Sequence, residues 1–304
     1  MTSASNPKSN SSFVTNVDIH LAEKLKADLI EMGFELNQMP YTIFSAKKKG
    51  VSCTLYQSGK MMVQGSEMKE FIEFYLEPQI LKNVSYTQAE HLLDLTARIG
   101  VDESGKGDFF GPLCVAGFYA EGNEIKELHS LGVKDSKDLS DASILKLAKK
   151  LREKFQYHVI VLTPKRYNEL YQSFNNLNSL LAWGHSTIIE TMINKTGCKN
   201  VIIDQFAKEG VVLSALKRKK INIPLIQKHR AEEDLVVAAA SILARAAFLE
   251  NLEILSNKIE TKLPKGGAKI TIEIGKKLLI SHGTEVFSEI AKTHFKNFQD
   301  IIHN

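Results

Sequence analysis

From residue 97 onward, short apolar runs of strand length alternate with longer amphipathic stretches, and this alternation limits the possible folds more tightly than any other feature. Extended runs at 97–102, 113–119, 157–163, 201–204 and 223–227 are separated by helical patterns at 141–155, 179–194, around 212–219 and 235–256. Such a chain buries its apolar faces only by laying helices over a sheet. The helix predicted at 141 starts after Ser140, a suitable N-cap, and its Ile144, Leu147, Leu151 and Phe155 form one core-facing stripe. Residues 261–267 read as a Pro/Gly loop, and the segment beyond them reads as mostly helical. The expected fold class is α/β with a mixed central sheet.

The preceding residues follow another pattern. A helix is predicted at 19–32, with Leu21, Leu25 and Leu29 on one face. Strands are predicted at 41–46, 51–57 and 61–64, with turns at Lys47–Gly50 and Ser58–Gly59, and a closing helix at 66–76. This describes a small α+β unit with helices on one face of an antiparallel sheet. Val51, Cys53 and Leu55 alternate with Ser52, Thr54 and Tyr56, so one sheet face is buried and the other is open. Tyr56 and nearby Lys60 on that open face are candidate nucleic-acid contacts, although an ordinary solvent face has the same pattern. The expected organisation is a disordered tail at 1–13, a first domain at 14–80, a linker at 81–95 and a second domain at 96–304.

A length of 304 residues suggests two domains or one large one. The charge is uneven. Residues 1–95 hold nine Lys/Arg and eleven Asp/Glu, so the overall +4 resides in the second part. A modest basic excess fits a polyanionic partner only weakly. Cys53, Cys114 and Cys198 form no C-x-x-C pair, which argues against a disulfide framework or zinc site and for a reducing cytoplasm. The polar N-terminus lacks an apolar signal core. The apolar run 236–249 is interrupted by Arg245, is too short to span a bilayer, and reads as a buried helix. No membrane association and no protein partner are expected. Nothing suggests a coiled coil, so a monomer is expected.

The first predicted strand of the second domain runs into G-V-D-E-S-G-K-G, residues 100–107. This is one position short of the phosphate-cradling pattern G-x-x-x-x-G-K-[ST]. Gly107 lacks the hydroxyl that would ligate Mg²⁺, and Asp102 and Glu103 would repel a triphosphate. A nucleotide-dependent ATPase is therefore disfavoured. Carboxylates suit a hard divalent cation held between protein and phosphate, while a solvated acidic turn is the plainer reading. Gly105 and Gly107 allow the chain to leave strand geometry, so that both acids can face one site. Further acids stand at element ends: Asp204 closes 201–204, and Glu232, Glu233 and Asp234 precede the apolar helix. Acids before a helix also serve as caps, which is the strongest competing role for Asp234.

The stretch D-E-S-G-K-G-D-F-F-G-P-L at 102–113 resembles the active-site segment of type 2 ribonucleases H, and its G-K-G form looks like ribonuclease HIII. V-K-D-S-K-D-L at 133–139, I-D-Q-F-A at 203–207 and R-A-E followed by V-A-A-A-S-I-L-A-R within 230–245 resemble further family segments. Y-Q-S-G-K at 56–60 and V-Q-G at 63–65 are similar to the family's N-terminal substrate-binding domain, which has a TATA-binding-protein-like fold. The resemblance implies a ribonuclease H-like catalytic domain and endonucleolytic cleavage of the RNA strand of RNA/DNA hybrids, leaving 3′-hydroxyl and 5′-phosphate ends. It implies Mg²⁺ or Mn²⁺ held by Asp102, Glu103, Asp204 and a fourth acid. Glu232 matches the K-A-E position of the family, but its spacing to the A-A-A-S run is one residue short, which leaves Glu233 and Asp234 open. The backbone of Ser104, Gly105, Lys106 and Gly107 is then the candidate reader of the ribose 2′-hydroxyl, and Ser136 and Lys137 are candidate phosphate contacts. His185 could contact substrate or shuttle a proton, but reads more simply as a satisfied surface histidine, and Trp183 reads as packing. A non-catalytic hybrid-binding protein and a ribonuclease HII-like enzyme for single ribonucleotides in DNA are the rival readings.

Overall fold

The computed structural model describes residues 12–82, 93–204, 209–228 and 231–303. The chain divides into two compact units, Met1–Leu93 and Asp94–Asn304.

In the first unit, β1 (Ser12–Asn16), β2 (Glu35–Asn37), β3 (Thr42–Lys48), β4 (Val51–Tyr56) and β5 (Lys60–Gln64) form an antiparallel sheet of order β1-β5-β4-β3-β2. The period-2 pattern is realised as expected: Val51, Cys53 and Leu55 are buried, with Met61 and Val63 of β5 beside them. Against this face pack Leu25 and Leu29 of α1 (Ala22–Glu31) and the closing helix. That helix begins as α2 (Met68–Phe71) and continues as a wider π-type helix over Ile72–Leu81. The opposite face, with Tyr56 half-buried and Lys60 exposed, carries no helix of this unit among the described residues.

Several expectations need correction here. Ser12 and Phe13, assigned to a tail, belong to β1, where Phe13 pairs with Val63; residues 1–11 lie outside the described residues. The closing helix extends five residues past the expected end at 76 and crosses the boundary placed at 80. Of the expected linker 81–95, residues 83–92 lie outside the described residues. β2 was missed because three residues carry too little periodicity to register.

In the second unit, β6 (Arg98–Ser104), β7 (Leu113–Ala120), β8 (Gln156–Leu162), β9 (Val201–Asp204) and β10 (Leu225–Lys228) build a sheet of order β10-β9-β6-β7-β8. β10, β9 and β6 run parallel, while β7 and β8 are antiparallel additions, so the sheet is mixed. Between and after the strands come α3 (Asn123–Ser130), α4 (Asp141–Lys154), α5 (Pro164–Phe174), α6 (Leu177–Thr196), α7 (Glu209–Arg218), α8 (Leu235–Lys258), α9 (Lys269–His282), α10 (Val286–Ile290) and α11 (Lys296–Ile302). Two of these were not expected. α3 holds only Ile125 and Leu128 in the core, too few for a periodic signal, and Pro164 at the first turn of α5 reads equally well as a strand stop.

α8 covers one sheet face and α6 the other. α8 ends two residues past the helix expected at 235–256; it is long and apolar enough by composition to cross a membrane, yet fourteen of its residues are buried in this core. Gly100 on β6 makes the contact possible. A Cβ there would sit 2.5 Å from the Val236 carbonyl carbon, so any side chain would push α8 off the sheet. This close seating sets the height of α8 over β6, and with it the position of everything at the start of that helix.

Candidate active site

The parallel pairing of β6 with β9 aligns Val101 with Ile203, so the next residues, Asp102 and Asp204, stand side by side where β9 ends and its pairing with β6 stops. Ligands of open α/β sheets collect at such strand ends. A cleft of about 670 Å³ opens there. Its lining includes Asp102, Glu103, Asp204 and Glu232, the backbone turn Ser104–Gly107, and Ser136 and Lys137. All ten sequence candidates of this unit therefore meet in one cavity. Tyr56 and Lys60 belong to the first unit.

Asp102 is held in a partly buried, negative setting. Burial and the charge of Glu103 push its carboxyl up to about 8, against hydrogen bonds from Ser241 and from the Glu103 amide, which donates at 2.8 Å. Ser241 in turn meets Ser136, with their hydroxyls 2.7 Å apart. Glu103 behaves in the opposite way. Burial pushes it up, but a 2.9 Å contact from its Oε2 to His185 Nε2 and the Lys106 ammonium 3.2 Å from its Oε1 outweigh that, holding it at about 2. The reading of His185 as a surface residue is thus wrong: it is fully buried within α6 and orients Glu103. Trp183 packs against Phe174, as expected.

Asp204 accepts a hydrogen bond from the Ala231 amide at 3.3 Å, which ties the end of β9 to the short helical turn Ala231–Glu233. Glu232 projects from that turn into the cleft, 3.5 Å from Lys137 Nζ. Burial lowers the proton affinity of Lys137, but Asp135, Glu232 and Asp102 outweigh it and hold the ammonium charged. The three consecutive acids separate cleanly. Glu233 is exposed. Asp234 caps α8, accepting from Val236 N at 2.9 Å, and its other oxygen takes the Nε–H of buried Arg98 at 2.8 Å.

Ser104 continues β6 and pairs with Cys114, so the turn starts one residue later. At Gly105 the backbone takes φ +91°, and a Cβ there would collide with the Pro112 carbonyl and the Phe248 ring. Only glycine lets the chain double back at this point, which swings Lys106 and Gly107 onto the cleft wall.

Ser241, Arg245, Asp141 and Lys265 also line the cleft and were not singled out by sequence. A signal existed for two of them: Ser241 and Arg245 lie four residues apart, on one face of an otherwise apolar helix. Lys265 reaches Asp141 at 2.5 Å, a pairing across 124 positions that no local pattern shows.

Among the described residues, no three His, Cys, Asp or Glu side chains already surround a single point as a finished metal cage. The four acids ring an open cleft instead. That suits a hard ion that keeps waters and takes only one or two protein carboxylates before substrate phosphates complete its shell. An Asp102 pushed to about 8 by burial and neighbouring charge marks a place where a bound cation would be strongly favoured.

The mixed five-stranded sheet and its acidic cleft are those of a type 2 ribonuclease H, as the likeness to known proteins shows. The ribonuclease HII family model matches residues 99–298, and a domain of unknown function, DUF3378, matches residues 12–88. The ribonuclease HIII of Protochlamydia amoebophila is 54% identical over 95% of the chain and 96% of that protein, and that of Chlamydia felis is 52% identical over 95% and 97%. The crystal structure of Bst-RNase HIII in complex with Mn²⁺ superposes with a TM-score of 0.67 at 30% identity, covering 96% of this chain and 98% of that one. The chain belongs to the ribonuclease HIII family and is a hydrolytic ribonuclease H.

Proposed function

We propose that the chain cuts the RNA strand of RNA/DNA hybrids endonucleolytically, leaving 3′-hydroxyl and 5′-phosphate ends, with Asp102, Glu103, Asp204 and Glu232 holding the divalent ions that the hydrolysis requires. The observation that carries this reading is the convergence of these four acids beside the Ser104–Gly107 turn in one cleft. Divalent ions there, Mg²⁺ or Mn²⁺, would activate water and relieve charge on the leaving oxygen. The protein's own groups do the remainder. His185 and Lys106 keep Glu103 ionised and fixed. Ser241 orients Asp102 through its hydroxyl. Lys137, Arg245 and Lys265 supply positive charge along the walls for the phosphate backbone. The turn at 104–107 offers backbone N–H groups to the ribose, whose 2′-hydroxyl separates RNA from DNA. The open sheet face of the first unit, with Tyr56 and Lys60, serves as an additional grip on the hybrid. Free thiols at Cys53, Cys114 and Cys198 suit a reducing cytoplasm.

The test is cleavage of an end-labelled RNA/DNA hybrid with Mg²⁺, with Mn²⁺ and with chelator, beside matched RNA/RNA and DNA/DNA duplexes and a DNA duplex carrying one ribonucleotide. Metal-dependent cuts confined to the long hybrid are expected; equal or faster cutting at the single ribonucleotide would assign the chain a ribonuclease HII-like specificity. Asp102→Asn keeps the side-chain size and removes the charge. It should lower the rate at least about 100-fold while the hybrid still binds, and near-normal turnover at saturating Mg²⁺ would remove Asp102 from the ligand set.

A further inference from the structure

The turn at 104–107 is the start of a longer loop, residues 105–112, that connects β6 to β7. Its first half lines the cleft and its second half is buried. Asp108 is the joint between them. Its amide donates back to the Gly105 carbonyl at 3.3 Å, and its Oδ1 accepts from the Gly266 amide at 2.6 Å. From the other side the loop is clasped by residues 290–292: Gly111 N donates to Ile290 O at 2.9 Å, Phe110 bridges Ala291, and Lys292 N donates to Phe109 O at 2.9 Å.

The side chain of Lys292 completes this clasp. It is fully buried, and its Nζ donates to the carbonyl of Asp108 at 2.8 Å and to that of Gly111 at 2.7 Å. The amine also lies 5.6 Å from the centre of the Tyr167 ring. Its chain neighbours Ile290 and Ala291 belong to an apolar cluster with Phe109, Phe110 and Phe287, and a buried methionine or leucine at position 292 would avoid the cost of taking an amine out of water. An amine in that place is accounted for by the two carbonyls it holds, one at the joint of the cleft-lining turn and one at the far end of the loop. Burial pulls Lys292 down to about 7, chiefly against the charge of Asp108, and charged or neutral the amine can donate to both carbonyls.

We propose that Lys292 is a positioning residue for hydrolysis: by pinning the Asp108 and Gly111 carbonyls it fixes the Gly105–Gly107 backbone in the geometry that meets the ribose at the scissile phosphate. Lys292 touches none of the four acids. The inference rests on the hydrolysis proposed above.

The experiment compares the full-length wild type, Lys292→Met and Leu278→Ala. Met keeps the unbranched shape of the lysine one atom short and donates nothing, and Leu278 is a buried member of the adjoining apolar cluster outside the cleft. Melting temperatures are measured first, and rates are then taken at a temperature where all three chains are folded. The readouts are the single-turnover rate on a labelled RNA/DNA hybrid, the dissociation constant for that hybrid, and the Mn²⁺ concentration giving half-maximal rate. Lys292→Met should lose at least about 10-fold in rate, the scale of a misplaced reacting geometry. Its hybrid affinity and Mn²⁺ requirement should stay within about 3-fold of wild type, because no acid or phosphate contact is removed. Leu278→Ala should keep its rate despite a comparable drop in melting temperature. A folded Lys292→Met at wild-type rate, or equal rate losses in both variants, would overturn the proposal. Should the Met variant fail to fold, Lys292→Leu, which likewise donates nothing, takes its place, and the same comparison with Leu278→Ala decides. A wild type that does not cut the hybrid would overturn the functional reading and this inference together, whereas an active wild type with an unaffected Lys292 variant overturns this inference alone.

Discussion

Two positions separate Glu232 from Asp234, yet the fold sends one carboxylate to the cleft and the other to buried Arg98. The consequences of losing them therefore differ. Asp234→Ala removes a helix cap and the close carboxylate partner of a nearly inaccessible guanidinium, which keeps the Asp94 and Thr96 carbonyls, so about 2–4 kcal/mol of stability should go. The single-turnover rate of the surviving folded fraction should change little. Glu232→Gln should leave the melting temperature of metal-free protein unchanged or raised, since it relieves repulsion among carboxylates, and should raise the Mg²⁺ concentration needed for half-maximal rate. Melting curves without metal and a Mg²⁺ titration of both variants check this, and a rate loss confined to Asp234→Ala would reverse the assignment. Lys292 permits a pH test. Its folded-state value of about 7 lies below the ordinary 10.5, so between those values the unfolded chain binds more protons. Stability then rises with pH in that window. The cost of the buried ammonium is fully present below pH 7 and is relieved toward pH 10.5. Denaturant melts of wild type and Lys292→Met at pH 7 and pH 9.5 should show wild type gaining on the variant by a few kcal/mol.

The elements set the site through their seating. β6 and α8 meet at Gly100 with no room for a side chain, and α8 carries Ser241 and Arg245 to the cleft while its N-terminal approach carries Glu232. Gly100→Ala places a methyl group against the Val236 backbone, which cannot rotate away as a side chain would. Overpacking of this kind costs about 1–3 kcal/mol, and here the displacement lies along the path that positions two sides of the active site. The expected outcome is a loss of rate together with the loss of stability, measured as single-turnover cleavage at a temperature where the variant is folded. An unchanged rate with lowered stability would show that the cleft tolerates a shifted α8. The loop at 105–112 is seated in the same manner, folded over Phe248 of α8 and clasped by 290–292, so strand, helix and C-terminal segment all bear on one turn.

At the scale of the whole molecule, each unit has its own core, and all the acids lie in the second. Removing Met1–Leu93 should weaken hybrid affinity more than it lowers the single-turnover rate. Binding should also become less sensitive to salt if Lys60 or its neighbours on the first unit meet phosphates, because each lost phosphate contact lowers the slope of log K against log salt by about 0.9. Binding titrations at several salt concentrations, with and without the first unit, measure both. An unchanged dissociation constant would assign that unit another task.

Much of this architecture is written in local pattern. Period-2 alternation marked β4, an N-cap and stripe marked α4, and the alternation of strands with helices marked the α/β class, because each depends on which face of a short element is buried. The position of Asp204 at the end of β9 was legible for the same reason, whereas β6 runs two residues past Asp102. Local pattern carries no information on pairing between distant segments. The parallel register of β6 and β9 sets Asp102 beside Asp204. The burial of His185 against a glutamate 82 residues away follows from the seating of α6. Lys292 reads as one more charged residue in a C-terminal segment until the fold closes 290–292 over the loop at 105–112. Sequence determined which groups were available and on which face of which element. Tertiary structure decided which of them meet, because burial, hydrogen-bond partnership and shifted proton affinity belong to an environment assembled by contacts far apart in the chain.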